Sequence, residues 1–157
     1  MTSKADFTDE EWTRLRRAPF VAGMAITLAD PGGPIEVVKE TTATLKSVVA
    51  AAERGDRGEL VSALSHEVAE HRENPLGGFK PKGATAGVEI LDELRGVNSI
   101  LKDKASPEDA AAVRDWLLAT AQAAADAAKE GGFMGWHAVR VSEGEQRMLD
   151  SLREALA

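Results

Sequence analysis

The residues best spaced for chemistry in this sequence are His66-Glu67-Val68-Ala69-Glu70-His71. Imidazoles and carboxylates within one or two helical turns are the donors of zinc sites and of acid–base pairs. The His-Glu-x-x-His pattern of metalloproteases needs histidine where Glu70 stands, and its inverted form needs histidine where Glu67 stands. The two histidines are five residues apart, about 140° around a helix, so they do not converge on one ion. Glu67 and His71, four apart, do share a face and can supply two ligands to a divalent metal, with His137 as a third. The di-iron arrangement of Glu-x-x-His on each of two helices is missing. The competing expectation is a half-buried His71 bonded to the carboxylate one turn earlier, with His66 facing away.

Two other segments invite attention. Gly78-Phe79-Lys80-Pro81-Lys82-Gly83-Ala84-Thr85 has phosphate-loop spacing, but Ala84 replaces the lysine that reaches the terminal phosphates and no strand precedes it. A nucleoside-triphosphatase is therefore rejected. What remains is a carboxylate or phosphate held by backbone N–H groups at the start of the next helix, with Lys80 and Lys82 beside it, or else a solvated loop. Phe133-Met134-Gly135-Trp136-His137 is an unusually apolar connection. Either it folds over the bundle end as a plug, or Trp136 and His137 rim a pocket or contact patch. Nucleophilic catalysis has no support: Gly-x-Ser-x-Gly is absent, and Ser65 and His66 point about 100° apart on a helix.

Composition narrows the classes. With 157 residues and 43% apolar side chains, one globular domain spanning 1–157 is expected, with residues 1–7 flexible. No cysteine means no disulfide, thiolate metal site or thiol nucleophile. Nineteen basic against 26 acidic residues give a net charge of -7, and neither half forms a basic arm, which argues against nucleic acid. The start, Met1 to Trp12, has neither a secretory nor a mitochondrial pattern. The longest apolar stretch, Ala18 to Ala29, falls short of the roughly 20 residues a span requires. A cytoplasmic protein away from membranes is expected.

The elements that would position these residues read as helices throughout, giving an all-α bundle of about six. Thr8 and Glu11 form a capping box for the first, which carries Pro19 and should kink or restart there. Arg14, Arg16 and Arg17 lie on its polar side, as a solvated spot pairing with Asp9, Glu10 and Glu11. After Asp30-Pro31-Gly32-Gly33-Pro34, the stripe Ile35, Val38, Thr42, Leu45, Val49 and Ala52 predicts a second helix, ended by Gly55. Asp56 is placed to cap a third, which buries Leu60, Val61, Leu64 and Val68 and ends near Asn74-Pro75. A fourth presents Leu91, Leu94, Val97 and Leu101, flanked by Ile90 and Ile100. Ser106-Pro107-Glu108-Asp109 starts a fifth, with Val113, Trp116, Leu117, Thr120, Ala124 and Ala127 inward. Ser142 and Glu145 box the sixth, which carries Met148, Leu149, Leu152 and Leu156 on its core face.

Phe7-Thr8-Asp9-Glu10-Glu11-Trp12, Ala18-Pro19, Ala29-Asp30-Pro31, then Gly132-Phe133-Met134-Gly135, Val141-Ser142 and Glu145 together resemble an uncharacterised group of small all-helical bacterial proteins. The resemblance covers the two ends, about a third of the chain. It implies a helical domain and carries over no catalytic residue. The closing loop with its Val-Ser-x-x-Glu helix start is also similar to tellurite-resistance-type helical domains, without their Asp-Gly element before the serine.

The reading that follows is a non-enzymatic bundle binding a partner protein or small ligand, with a homodimer included. Its contact end carries the two Gly-Gly-Phe loops, through Phe79, Lys80, Lys82, Phe133, Trp136 and His137. The alternative is a metal- or cofactor-binding protein using Glu67 and His71. A third is a small acid–base enzyme with no carboxylate singled out.

Overall fold

The computed structural model describes residues 2–29, 57–71, 75–130 and 143–157, without the side chains of 127–130. Five α-helices run through them: α1 Asp9–Ala29, α2 Gly58–Glu70, α3 Ala86–Lys104, α4 Pro107–Glu130 and α5 Glu143–Ala155. Among the described residues there is no strand, and the protein is an all-α bundle, as expected. The helix expected over Ile35 to Arg54, the caps at Asp56 and Ser142, and the Phe133–His137 connection lie outside the described residues.

The local signals explain where helices start. Thr8 and Glu11 close a reciprocal box: the Thr8 N–H donates to Glu11 Oε2 (2.8 Å) and the Glu11 N–H to Thr8 Oγ1 (3.2 Å). At α4 the Asp109 N–H donates to Ser106 Oγ at 3.1 Å, with Pro107 at the first helical position, where its missing N–H costs nothing. By contrast, α2 starts at Gly58 with φ +85° and no side-chain cap. It ends at Glu70, earlier than Asn74, with His71 as its C-cap.

One buried cluster joins the helices. α1 packs against each of the other four, and α4 likewise. Leu15, Val21 and Ala25 of α1 meet Leu64 of α2, Leu94 and Val97 of α3, Trp116 and Leu117 of α4, and Leu152 of α5 in this core. Ala18, Ala22 and Ala25 on α1 and Ala121, Ala124 and Ala125 on α4 are all buried, so these helices present little bulk to the core. Met148 is only partly buried at its edge.

Of the kink or restart expected at Pro19, the restart is corrected: α1 runs unbroken from Asp9 to Ala29. A proline inside a helix leaves the carbonyl four residues earlier without its bond. Here the residues on both sides, Ala18 through Gly23, are buried, and that packing holds the helical path through the break. Residues 2–7, expected to be flexible, make defined contacts with the bundle. Lys4–Asp6 form a 3-10 turn, Thr2 and Phe7 are buried, and Lys4 Nζ sits 2.6 Å from Glu67 Oε1.

Candidate functional site

Arg14 and Arg17 of α1 do not pair with Asp9, Glu10 and Glu11 in a solvated spot. Arg14 and Arg17, three apart and therefore on one face, turn toward α3 and converge on Glu93. Arg14 donates from Nε to Oε1 and from Nη2 to Oε2, both at 3.1 Å. Arg17 donates from Nε (2.9 Å) and Nη2 (2.6 Å) to Oε1. The carboxylate is 9% exposed, while the Arg14 and Arg17 side chains retain 28% and 15%. The acids expected to pair with these arginines are engaged elsewhere or point outward. Glu11 accepts from Lys104 Nζ at 2.6 Å and caps Thr8, which together hold its pKa below the usual range. Asp9 and Glu10 face solvent.

Local sequence makes this arrangement fit. Glu93 sits in the register of Ile90, Leu94 and Val97, on the buried side of α3. One turn on, Gly96 leaves the space that the Arg14 guanidinium fills. A Cβ there would overlap Arg14 Nη2 and lie 2.9 Å from its Cζ. The loop after α2 covers the other arginine. Gly77, at φ +54°, passes so close to α1 that a Cβ would stand 3.0 Å from Thr13 Cγ2. The Phe79 N–H closes a turn onto the Leu76 carbonyl (3.0 Å), and the Phe79 ring centre lies 5.2 Å from Arg17 Cζ. That is cation–π range.

Among the described residues, two guanidiniums meet one carboxylate here, which leaves one positive charge in a half-buried place. Arg17 uses Nε and Nη2, and Arg14 the same pair, so among the described residues no hydrogen bond is made from either Nη1. Lys80 and Lys82 are exposed in the same loop. Such a patch attracts a carboxylate with planar, charge-assisted bonds. Of the backbone N–H groups leading into α3, that of Lys82 donates to Glu89 Oε2 at 3.0 Å.

The histidine segment is arranged differently. Glu67 is held by Lys4, whose hydrogen bond lowers its pKa against the opposing effect of burial; the Lys4 and His71 charges lower it further. His71 Nδ1 lies 3.0 Å from the Glu67 carbonyl oxygen and 3.8 Å from Oε2, and the His71 ring is half exposed. Its nearest bond is thus to backbone. His66 faces outward, 3.6 Å from Glu70. Among the described residues no three potential ligands gather around a common point. Ser65 is buried, with no hydrogen-bond partner for Oγ among the described residues, and His66 is exposed beside it.

Phe79 is thus brought against Arg17, with Lys80 and Lys82 exposed in the same loop, whereas Phe133, Trp136 and His137 lie outside the described residues. Sequence reasoning missed Glu93 and Gly96. The signal was present: an acid in a core-face register and a glycine inside a helix. A separate cleft of about 220 Å³ is lined by Arg57, Gly58, Glu108, Asp109, Ala112 and Asp115. Among the described residues no helix is long and apolar enough to cross a membrane. Compared with known proteins, the chain matches no family model, no curated protein and no solved structure.

Proposed function

We propose that the protein is a non-enzymatic binding module. Its contact face is loop 75–82 with the Arg14–Arg17 pair beneath it. What it takes is a carboxylate, presented by a small molecule or by an acidic segment of a partner protein. The observation that carries this is the charge imbalance at Glu93, two guanidiniums for one carboxylate among the described residues, kept beside a half-buried Phe79. On a chain of net charge -7 such a spot is local. It orients an acidic group after encounter, because long-range attraction does not favour anions here. Phe79 adds an apolar surface that a bare ion does not use. The setting proposed is the cytoplasm, with no nucleic-acid partner. A homodimer arises where the acidic segment belongs to a second copy. Glu67 and His71 receive no metal in this proposal, since Lys4 already neutralises Glu67.

Fluorescence anisotropy with a labelled hexaglutamate peptide tests it. Saturable binding is expected, weakened at least about tenfold by Lys80→Glu together with Lys82→Glu, and weakened by about 0.5 M salt. Equal anisotropy for wild type and the charge-reversed variant would remove the assignment of this face.

A further inference from the structure

We infer that residues 2–7 are a strap latched by two carboxylates over Trp12, able to lift while the bundle stays folded. The strap is attached by side chains. No helix or strand pairing continues from it into the body; its own 3-10 turn is closed by Ser3 and Asp6, with the Ser3 N–H donating to Asp6 Oδ2 at 2.8 Å.

Three ties hold it. At its start the Thr2 N–H donates to Asp109 Oδ2 (3.1 Å), and Thr2 Oγ1 accepts from the Ser106 N–H (2.9 Å), so the strap extends the cap of α4. In its middle Lys4 Nζ reaches Glu67 on α2 and lies 5.6 Å above the Trp12 ring. At its end the Phe7 ring stands 5.8 Å from that of Trp12, tilted by 42°. Under this cover Trp12 is 4% exposed, and its indole N–H is turned to Glu67, whose pKa it helps to lower.

Two of the three ties need an ionised carboxylate. Lys4, from the strap, faces Glu67, together with His71 from its own helix and Trp12 from α1. Asp109 faces Thr2 and Ser106, and the cleft beside it also carries Arg57, Glu108 and Asp115. Burial works to raise the Asp109 pKa, but hydrogen bonds from Thr2 and Ser106 outweigh it and leave it lowered; that of Glu67 is lowered as well. A lowered folded-state pKa means that the tie is complete above the unfolded value and is lost as pH falls through the folded one. Acid thus unfastens the strap at both ionic points. The apolar core under Trp12, with Leu15 and Leu64 fully buried, carries no charge to titrate.

The test is paramagnetic relaxation of the indole Nε1 protons by a neutral gadolinium chelate, with Trp116 (1% exposed) as an internal standard. Between neutral pH and about pH 3, the Trp12 enhancement should rise about fivefold while that of Trp116 stays constant. Lys4→Ala should give a rise in the same direction at neutral pH, as loss of one ion pair allows. Should Trp12 and Trp116 become accessible together, or should Trp12 stay shielded in acid and in the Lys4 variant, the strap has no motion of its own and the inference fails.

Discussion

Replacing Gly96 by alanine sets two effects against each other in a way the structure resolves. In an ordinary helix interior the change stabilises by about 1 kcal/mol, because alanine loses less backbone freedom. At Gly96 the new methyl would take the place of the Arg14 guanidinium, overlapping Nη2 and standing 2.9 Å from Cζ and 3.2 Å from Nη1. Arg14 is flexible and can withdraw, but doing so breaks both its bonds to Glu93. Hydrogen bonds to a charged group contribute about 1.5–3 kcal/mol, and the remaining Arg17 contacts bring the loss toward the lower part of that range. The net effect should be a destabilisation of about 0.5–1.5 kcal/mol, or a Tm about 1–6 °C lower for a chain of this size. Gly87, on the same helix with nothing within 4 Å of its would-be Cβ, is the control and should tolerate alanine or gain from it. Urea melts of both variants, and of Gly96→Ala in an Arg14→Ala background, read the difference. In that background the substitution should change sign and stabilise. A Gly96→Ala protein as stable as Gly87→Ala would refute the claim that the Arg14–Glu93 contact contributes to the fold.

Further outcomes follow from the same geometry. Glu93→Gln should cost about 2–3 kcal/mol in urea denaturation, somewhat below a fully buried pair because both guanidiniums keep some water; a loss under about 0.5 kcal/mol would show the cluster to be slack. Ser106→Ala removes the cap of α4 and a donor to Asp109, and should cost about 1 kcal/mol, read as a lower urea midpoint. The pKa values of Glu11, Glu67 and Asp109 are all lowered from unfolded values of 4.5, 4.5 and 3.8. Stability should therefore be level above those values and decline as pH drops through the lowered ones. Urea midpoints across acid pH check this, and Glu67→Gln should flatten part of the decline.

Much of the fold was legible because its determinants are local. The Thr8–Glu11 box and Ser106-Pro107 start mark helix ends through neighbouring atoms, and the stripes of α2, α4 and α5 are periodic within one segment. What escaped depends on contacts between distant segments. The Arg14 and Arg17 positions read as polar from α1 alone; only α3, with Glu93 at a core-facing position, draws them inward. Pro19 reads as a break because its own chemistry says so, and the surrounding buried residues override it. The strap was missed for the same reason, since Thr2, Lys4 and Phe7 find Asp109, Glu67 and Trp12 only in the folded chain. At the candidate site, loop composition drew attention to Phe79, Lys80 and Lys82, but not to the Arg17 guanidinium against the Phe79 ring.

The most direct test of that site follows the Nε–H resonances of Arg14 and Arg17 in a nitrogen-15 correlation spectrum while glutarate is added. A carboxylate bound beneath Phe79 should shift both resonances and the Phe79 and Lys80 amides with one common saturation curve. Unmoved arginine signals at saturating glutarate, or shifts scattered over lysines elsewhere, would contradict a binding face at this loop.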